Sequence, residues 1–278
     1  GILTVDGTTD ISASPGNFPN GMANVLLNTS ENQLTGAVSM AGHNVKLINA
    51  KAVELGTVNS RALIITARGA VTQSGVIRTV GNSDITAQNV AGDTNYDVTL
   101  ENASNNFGGY LKLTAANASI RDTNAIELGE STVSGNYTLT AGGAVSDDGD
   151  LDIEGTTTIS ASGSNVVLDR ATHDFTGAVA VEGATVELAD ANSIVLGTSN
   201  VSGTYTVTAT TGNITQNAAL TITGTTTLTT SANDATITLN NTSNAFTGAM
   251  TITTNDASGT DADVTIDGGT TALNIGAS

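Results

Sequence analysis

Gly-Thr-Thr-Thr-Ile-Ser, residues 155–160, is one of four renderings of a single phrase, which also reads Gly-Thr-Thr-Asp-Ile-Ser from Gly7, Gly-Asn-Ser-Asp-Ile-Thr from Gly81 and Gly-Thr-Thr-Thr-Leu-Thr from Gly224. The phrase returns at a nearly constant spacing of about 70 residues. A second landmark keeps step with it: Leu-Thr-Gly-Ala-Val from Leu34 becomes Phe-Gly-Gly-Tyr-Leu from Phe107, Phe-Thr-Gly-Ala-Val from Phe175 and Phe-Thr-Gly-Ala-Met from Phe246. A third, Glu-Leu-Gly, stands at Glu54 and Glu127 and returns as Val-Leu-Gly at Val195. Self-similarity at a fixed period marks a repeat architecture, whose units cannot bury their apolar faces alone and stack on their neighbours.

Inside each repeat, apolar and polar residues alternate over short runs, as in Ala-Val-Ala-Val-Glu (178–182), Tyr-Thr-Val-Thr-Ala (205–209) and Ala-Thr-Ile-Thr-Leu (235–239). A period of two is that of a strand with one face turned inward. Clusters of Gly, Asn, Asp and Ser separate the runs and supply turns. Both prolines, Pro15 and Pro19, lie near the start, away from the runs. No sustained helical stripe is found. These signals divide each repeat of about 70 residues into about three passes, giving an all-β parallel β-helix of about 12 coils. At the spacing of hydrogen-bonded strands such a stack is about 60 Å long. The expected organisation is one continuous β-solenoid over residues 1–278, with units at about 7–80, 81–154, 155–223 and 224–278. Tandem sandwiches and a propeller are the alternatives, and both fit the missing aromatic core poorly.

Composition narrows the function. Apolar residues make up 38% and aromatics 3%, with no Trp, so small branched side chains must fill a narrow core. The net charge is −18, and no Lys or Arg follows Arg170. The eight basic residues are scattered singly, which excludes nucleic acid as the expected partner. With no cysteine, disulfides and thiolate chemistry are absent. No apolar run reaches the roughly 18 residues of a membrane span, so membrane insertion by this segment is not expected.

The cycle Asn-x-Phe-Thr-Gly-Ala-Val, Asp-Ala-Asn-x-Ile-x-Leu-Gly, Thr-Val-Ser-Gly-x-Tyr-Thr-Val-Thr-Ala resembles the repeats of large bacterial surface proteins of the filamentous haemagglutinin-like class. That resemblance covers essentially the whole chain. It implies a right-handed parallel β-helix, exported and displayed as a long fibre for adhesion or biofilm cohesion. The secretion domain that such proteins carry at their N-terminus is not in this segment.

Candidate sites are few. His43 and His173 fall in different phases of the repeat and are read as solvent-exposed or turn histidines. Tyr137 and Tyr205 share a repeat position and are read as rung packing. Two acidic groups are the calcium candidates, Asp147, Asp148, Asp150 and Asp152 in one and Asp256, Asp261, Asp263 and Asp267 in the other, but neither has EF-hand or β-roll spacing. No cofactor is otherwise expected. The Thr-x-Thr runs invite comparison with a threonine ladder that orders ice, which needs a flat grid in successive coils. Here the runs read as clustering once per repeat, and a strand-stabilising role is the simpler account.

The expectation is a non-enzymatic structural rod of a cell-surface or extracellular fibre, partnered by further copies of the array and by a host or biofilm surface ligand that the sequence does not identify. A subunit stacking end to end into a filament is the alternative, and a polysaccharide-active β-helix enzyme the next. Gly1-Ile-Leu-Thr-Val-Asp-Gly-Thr-Thr aligns with the stretch from Gly149, and Thr271-Ala-Leu-Asn-Ile-Gly-Ala-Ser with the stretch from Asn124. The chain is therefore expected to be a stretch of a longer array.

Overall fold

A computed structural model describes residues 1–13, 22–161, 163–255 and 262–276. Among these residues every regular element is a strand, 34 in all, and none is a helix. The chain divides into two units, Gly1–Thr140 and Ala141–Ser278.

Each unit is a parallel β-solenoid. In the first, one column of laterally paired residues runs Val25, Val45, Leu63, Ser83, Leu111, Leu128, each step being one turn of the chain. In the second, an equivalent column runs Val166, Val186, Tyr205, Thr226, Met250, Ile275. All of these pairings are parallel, and the two units together carry about twelve turns. Turn length varies: among these steps the shortest leads from Leu111 to Leu128 and the longest from Ser83 to Leu111. The long turn carries an extra loop closed by an isolated antiparallel bridge between Gln88 and Asn95.

Alternation decides what is inside. Along Tyr110–Ala115, Leu111, Leu113 and Ala115 are buried while Tyr110, Lys112 and Thr114 face outward. Along Tyr205–Ala209, Tyr205, Val207 and Ala209 are fully buried. The core is a series of such rows, with Leu34, Phe107, Phe175 and Phe246 as the bulky residue that each repeat places at the same point. Tyr137 and Tyr205 are buried at 2% and 0% exposure, and burial pushes both phenols up from their ordinary pKa.

The first two sequence landmarks turn out to be one corner seen in two successive turns. A Cβ built on Gly177 lies 2.1 Å from the Gly155 carbonyl oxygen, and one on Gly248 lies 2.2 Å from that of Gly224. Gly36 meets Gly7 and Gly109 meets Gly81 in the same way. Backbone rests on backbone at this corner with no room for a side chain on the glycine of the second phrase, which is why glycine returns there.

Candidate functional site

The third landmark is a bulge, and it explains why the structural period is a repeat of several turns rather than one. Tyr110–Ala115 is long enough to cover two short strands of the next turn: Tyr110 and Leu111 pair with Glu127 and Leu128, while Thr114 and Ala115 pair with Thr132 and Val133. Gly129, Glu130 and Ser131 stand opposite Lys112 and Leu113, one residue too many: Gly129 stays buried with its N–H on the Leu111 carbonyl at 2.9 Å, and Glu130 turns outward. Val179–Gly183 covers Ile194–Leu196 and Ser199–Val201 in the same manner. A buried serine fills each gap. Ser131 Oγ donates to the Gly129 carbonyl at 2.8 Å and accepts the Leu113 N–H at 3.0 Å, and Ser199 repeats both bonds with Gly197 and Val181. The glycine is required because the strand above passes close: a Cβ on Gly129 would lie 2.8 Å from the Tyr110 ring.

Two further interior positions recur, both missed at the level of sequence. Fifteen positions after Leu34, Phe107 and Phe175 stand Asn49, Asp122 and Asp190, all buried. The strand Asn106–Phe107 pairs on one side with Arg78–Thr79. On its other side the Phe107 N–H is taken by the Asp122 carboxylate at 2.7 Å, which also accepts the Asn124 N–H at 2.8 Å. Asp190 does the same for Phe175 and Asn192. Burial raises both carboxyl pKa values above the ordinary one, and the two N–H bonds oppose that shift without cancelling it.

Two positions before each bulky residue stand Asn32, Asn105, His173 and Asn244. His173 is 0% exposed, which overturns its reading as solvent-exposed, while its N–H closes a turn on the Arg170 carbonyl at 3.1 Å, as the turn reading expects. Its Nδ1 accepts the Leu151 N–H at 3.0 Å, a bond that Asn105 Oδ1 makes to Ile77 and Asn244 Oδ1 to Leu220. Asn105 and Asn244 each complete the site by an amide pair with Gln73 and Gln216. In the third repeat that pair becomes His173 and Asp147, with Nε2 3.5 Å from Asp147 Oδ2. The position keeps its role while its chemistry changes, and a search for a second histidine passes over it. His43 is half-buried within the strand Ala37–Asn49, so it is neither fully exposed nor in a turn.

Asp147 and Asp150 of the first group of calcium candidates are engaged otherwise. Asp147 is turned inward toward His173 and lies 3.7 Å from Arg170 Nε. Asp150 accepts from Thr172 at 2.6 Å and from Arg170 at 2.8 Å, and those bonds hold its carboxyl below the usual range. Asp148 follows Asp147 outside the strand Val145–Asp147. Asp256 and Asp261 lie outside the described residues, and Asp263 immediately precedes the strand Val264–Ile266. Among the described residues no three His, Asp or Glu side chains are grouped to hold a metal ion.

What differs between repeats is the outer face of the strand that covers the bulge. In the second repeat Asp84, Lys112 and Glu130 form an ionic column there, with Lys112 Nζ 3.0 Å from Glu130. In the third, Ala180 occupies the place of Lys112, and a depression of about 400 Å³ opens between Thr158, Ser160, Glu182, Thr198 and Asn200. In the fourth, the equivalent residues are all threonines: Thr227 pairs with Thr251 and Thr229 with Thr253. The turn before adds Thr206 opposite Thr227 and Thr208 opposite Thr229. The Thr-x-Thr runs therefore occupy three successive turns, which corrects the reading that they cluster once per repeat. An interior whose roles recur, carrying a variable outer face, separates scaffold from candidate function.

The family described as repeats of unknown function (DUF5649) matches residues 1–41, 42–114, 115–182 and 183–253, and the chain belongs to it. Its boundaries cut the same cycle in a different phase from the Gly-Thr-Thr landmark. No curated protein and no solved structure matches the chain. No helix of the described residues is long and apolar enough to cross a membrane.

Proposed function

We propose that this chain is a non-catalytic structural module of a bacterial cell-surface or extracellular fibre, a rod-like spacer of the adhesin or biofilm-matrix type. The observation that carries the reading is the economy of the repeat. Within each unit every turn is bonded to the next by parallel ladders, and the same corner glycines, capping carboxylates and buried amides return from copy to copy. Such a construction extends by adding copies, each new one stabilised by its neighbour, so its natural output is length. The outward threonines and carboxylates keep it hydrated, and the resemblance to filamentous haemagglutinin-like repeats supports the placement outside the cell.

The test is made on the organism that produces the protein. Protease added to intact cells should remove the repeats. An in-frame deletion of residues 115–182 should shorten the surface layer by about 14 Å, the height of three turns, without abolishing display. Repeats protected until the cells are lysed, or a surface layer unaltered by the deletion, would sink the proposal.

A further inference from the structure

We infer that the outer face of Tyr205–Ala209, Thr226–Asn233 and Ala249–Asn255 is a binding surface for ordered water, and that its ligand is ice. The inference goes beyond the structural role and does not depend on it.

Three observations carry it. The first is geometry. Thr206, Thr227 and Thr251 form one lateral column and Thr208, Thr229 and Thr253 the next, with Thr204 and Thr225 joined at the adjoining corner by an Oγ to Oγ contact of 3.3 Å. Backbone pairing fixes the separation of the columns' members at about 4.8 Å, and the two-residue step along each strand sets the other period at about 6.6 Å. Buried Val207 and Leu228 anchor the strands from within.

The second is the chemistry of the side chain. Threonine is β-branched and stiff at χ1, so hydroxyls placed by the backbone stay placed. Each hydroxyl donates once and accepts twice, as a water molecule in a lattice does in part, and the methyl beside it shields the contact from bulk water. A two-dimensional array of such groups offers many weak contacts at once to a surface with its own fixed period. It offers far less to liquid water.

The third is the absence of charge. The protein carries a net −18, yet from Ala191 to Asn255 its only charged residue is Asp234. A charged side chain holds its own hydration shell and would disrupt an ordered layer. The same scaffold face bears Asp84, Lys112 and Glu130 in the second repeat and Glu182 in the third, so neutrality is not imposed by the fold.

The experiment is partition into slowly grown ice. A dilute solution of the 278-residue chain is frozen onto a cold surface, and the protein in the ice is compared with that left in the liquid. The wild type should be enriched about tenfold, a difference of about 1.4 kcal/mol, over the double variant Thr227→Asp with Thr229→Asp. Thr158→Asp, on an exposed strand position outside the array, should partition as the wild type does. Circular dichroism establishes that each variant is folded. The inference is overturned if the wild type is rejected by growing ice, if the double variant partitions equally well, or if Thr158→Asp abolishes the enrichment. Retention on crystalline cellulose or chitin with rejection from ice would also overturn it.

Discussion

The Asp190 carboxylate accepts the Phe175 N–H at 2.8 Å and the Asn192 N–H at 2.6 Å from a position water does not reach. It closes the edge of a strand that has no strand beneath it, as Asp122 does for Phe107. Burial raises both pKa values above the ordinary carboxylate one. A carboxyl that binds its proton more tightly when folded makes the protein more stable at the acid end, and that stability is lost as pH rises from about 4 through the folded pKa. Replacing Asp190 with Asn, the residue type the first repeat uses at Asn49, should flatten this part of the melting-temperature profile. Replacing it with Ala should strand the buried Phe175 N–H at a cost of about 1–3 kcal/mol. Melting curves of the three proteins between about pH 4 and 8 decide it, and a profile for Asp190→Asn as steep as the wild type's would count against the account.

His173 and Asp147 hold the place that Asn105 with Gln73 and Asn244 with Gln216 hold in neighbouring repeats. The scaffold therefore supplies its own replacement. His173→Ala leaves the buried Leu151 N–H without an acceptor and should cost about 1–3 kcal/mol. His173→Asn combined with Asp147→Gln should recover most of that loss, with a coupling of about 1 kcal/mol between the two changes. Denaturant unfolding of the double-mutant cycle gives the coupling directly, and strictly additive losses would show that the two side chains do not act as a pair.

These positions also show how far the sequence can be read. Strands, their parallel stacking and the repeat are legible because alternation in runs such as Tyr-Thr-Val-Thr-Ala and the return of Gly-Thr-Thr are local signals. That the glycines of Gly-Thr-Thr and Thr-Gly-Ala touch is not legible, since it depends on the length of the turn that carries the chain from Gly155 to Gly177. Asn49, Asp122 and Asp190 share an offset from the bulky residue, a signal that could have found them but is spread over two residue types. His173 escapes a search for repeated identity because only the role as acceptor is kept. The threonine array stays hidden because Thr206, Thr227 and Thr251 are separated by turns of unequal length, and their alignment emerges only once the register is known.

The glycine corner predicts a sharp contrast between two alanine substitutions. Gly177→Ala drives a Cβ to 2.1 Å from the Gly155 carbonyl oxygen, where both partners are backbone and neither can swing aside. One turn must separate from the next, at a cost of about 1–3 kcal/mol or more. Gly7→Ala meets nothing within 4 Å and should leave stability within about 0.5 kcal/mol of the wild type. Thermal unfolding of both variants tests the corner, and equal melting temperatures would remove it as an explanation of the landmark.

Ser131 ties the bulge to the strand above through a single oxygen, donating to Gly129 and accepting from Leu113. Ser131→Ala leaves the buried Leu113 N–H without its acceptor. The expected cost is about 1–3 kcal/mol. The first repeat offers an internal comparison: Val58 stands where Ser131 does, and there the strand Val53–Ala67 takes the same one-residue register shift, between Val38 and Met40, without a serine. Hydrogen exchange should show the Leu113 amide losing protection in Ser131→Ala while the amide of Met40 in the first repeat keeps its own. A Leu113 amide that exchanges no faster in the variant would mean that the backbone, and not the serine, holds the bulge in place.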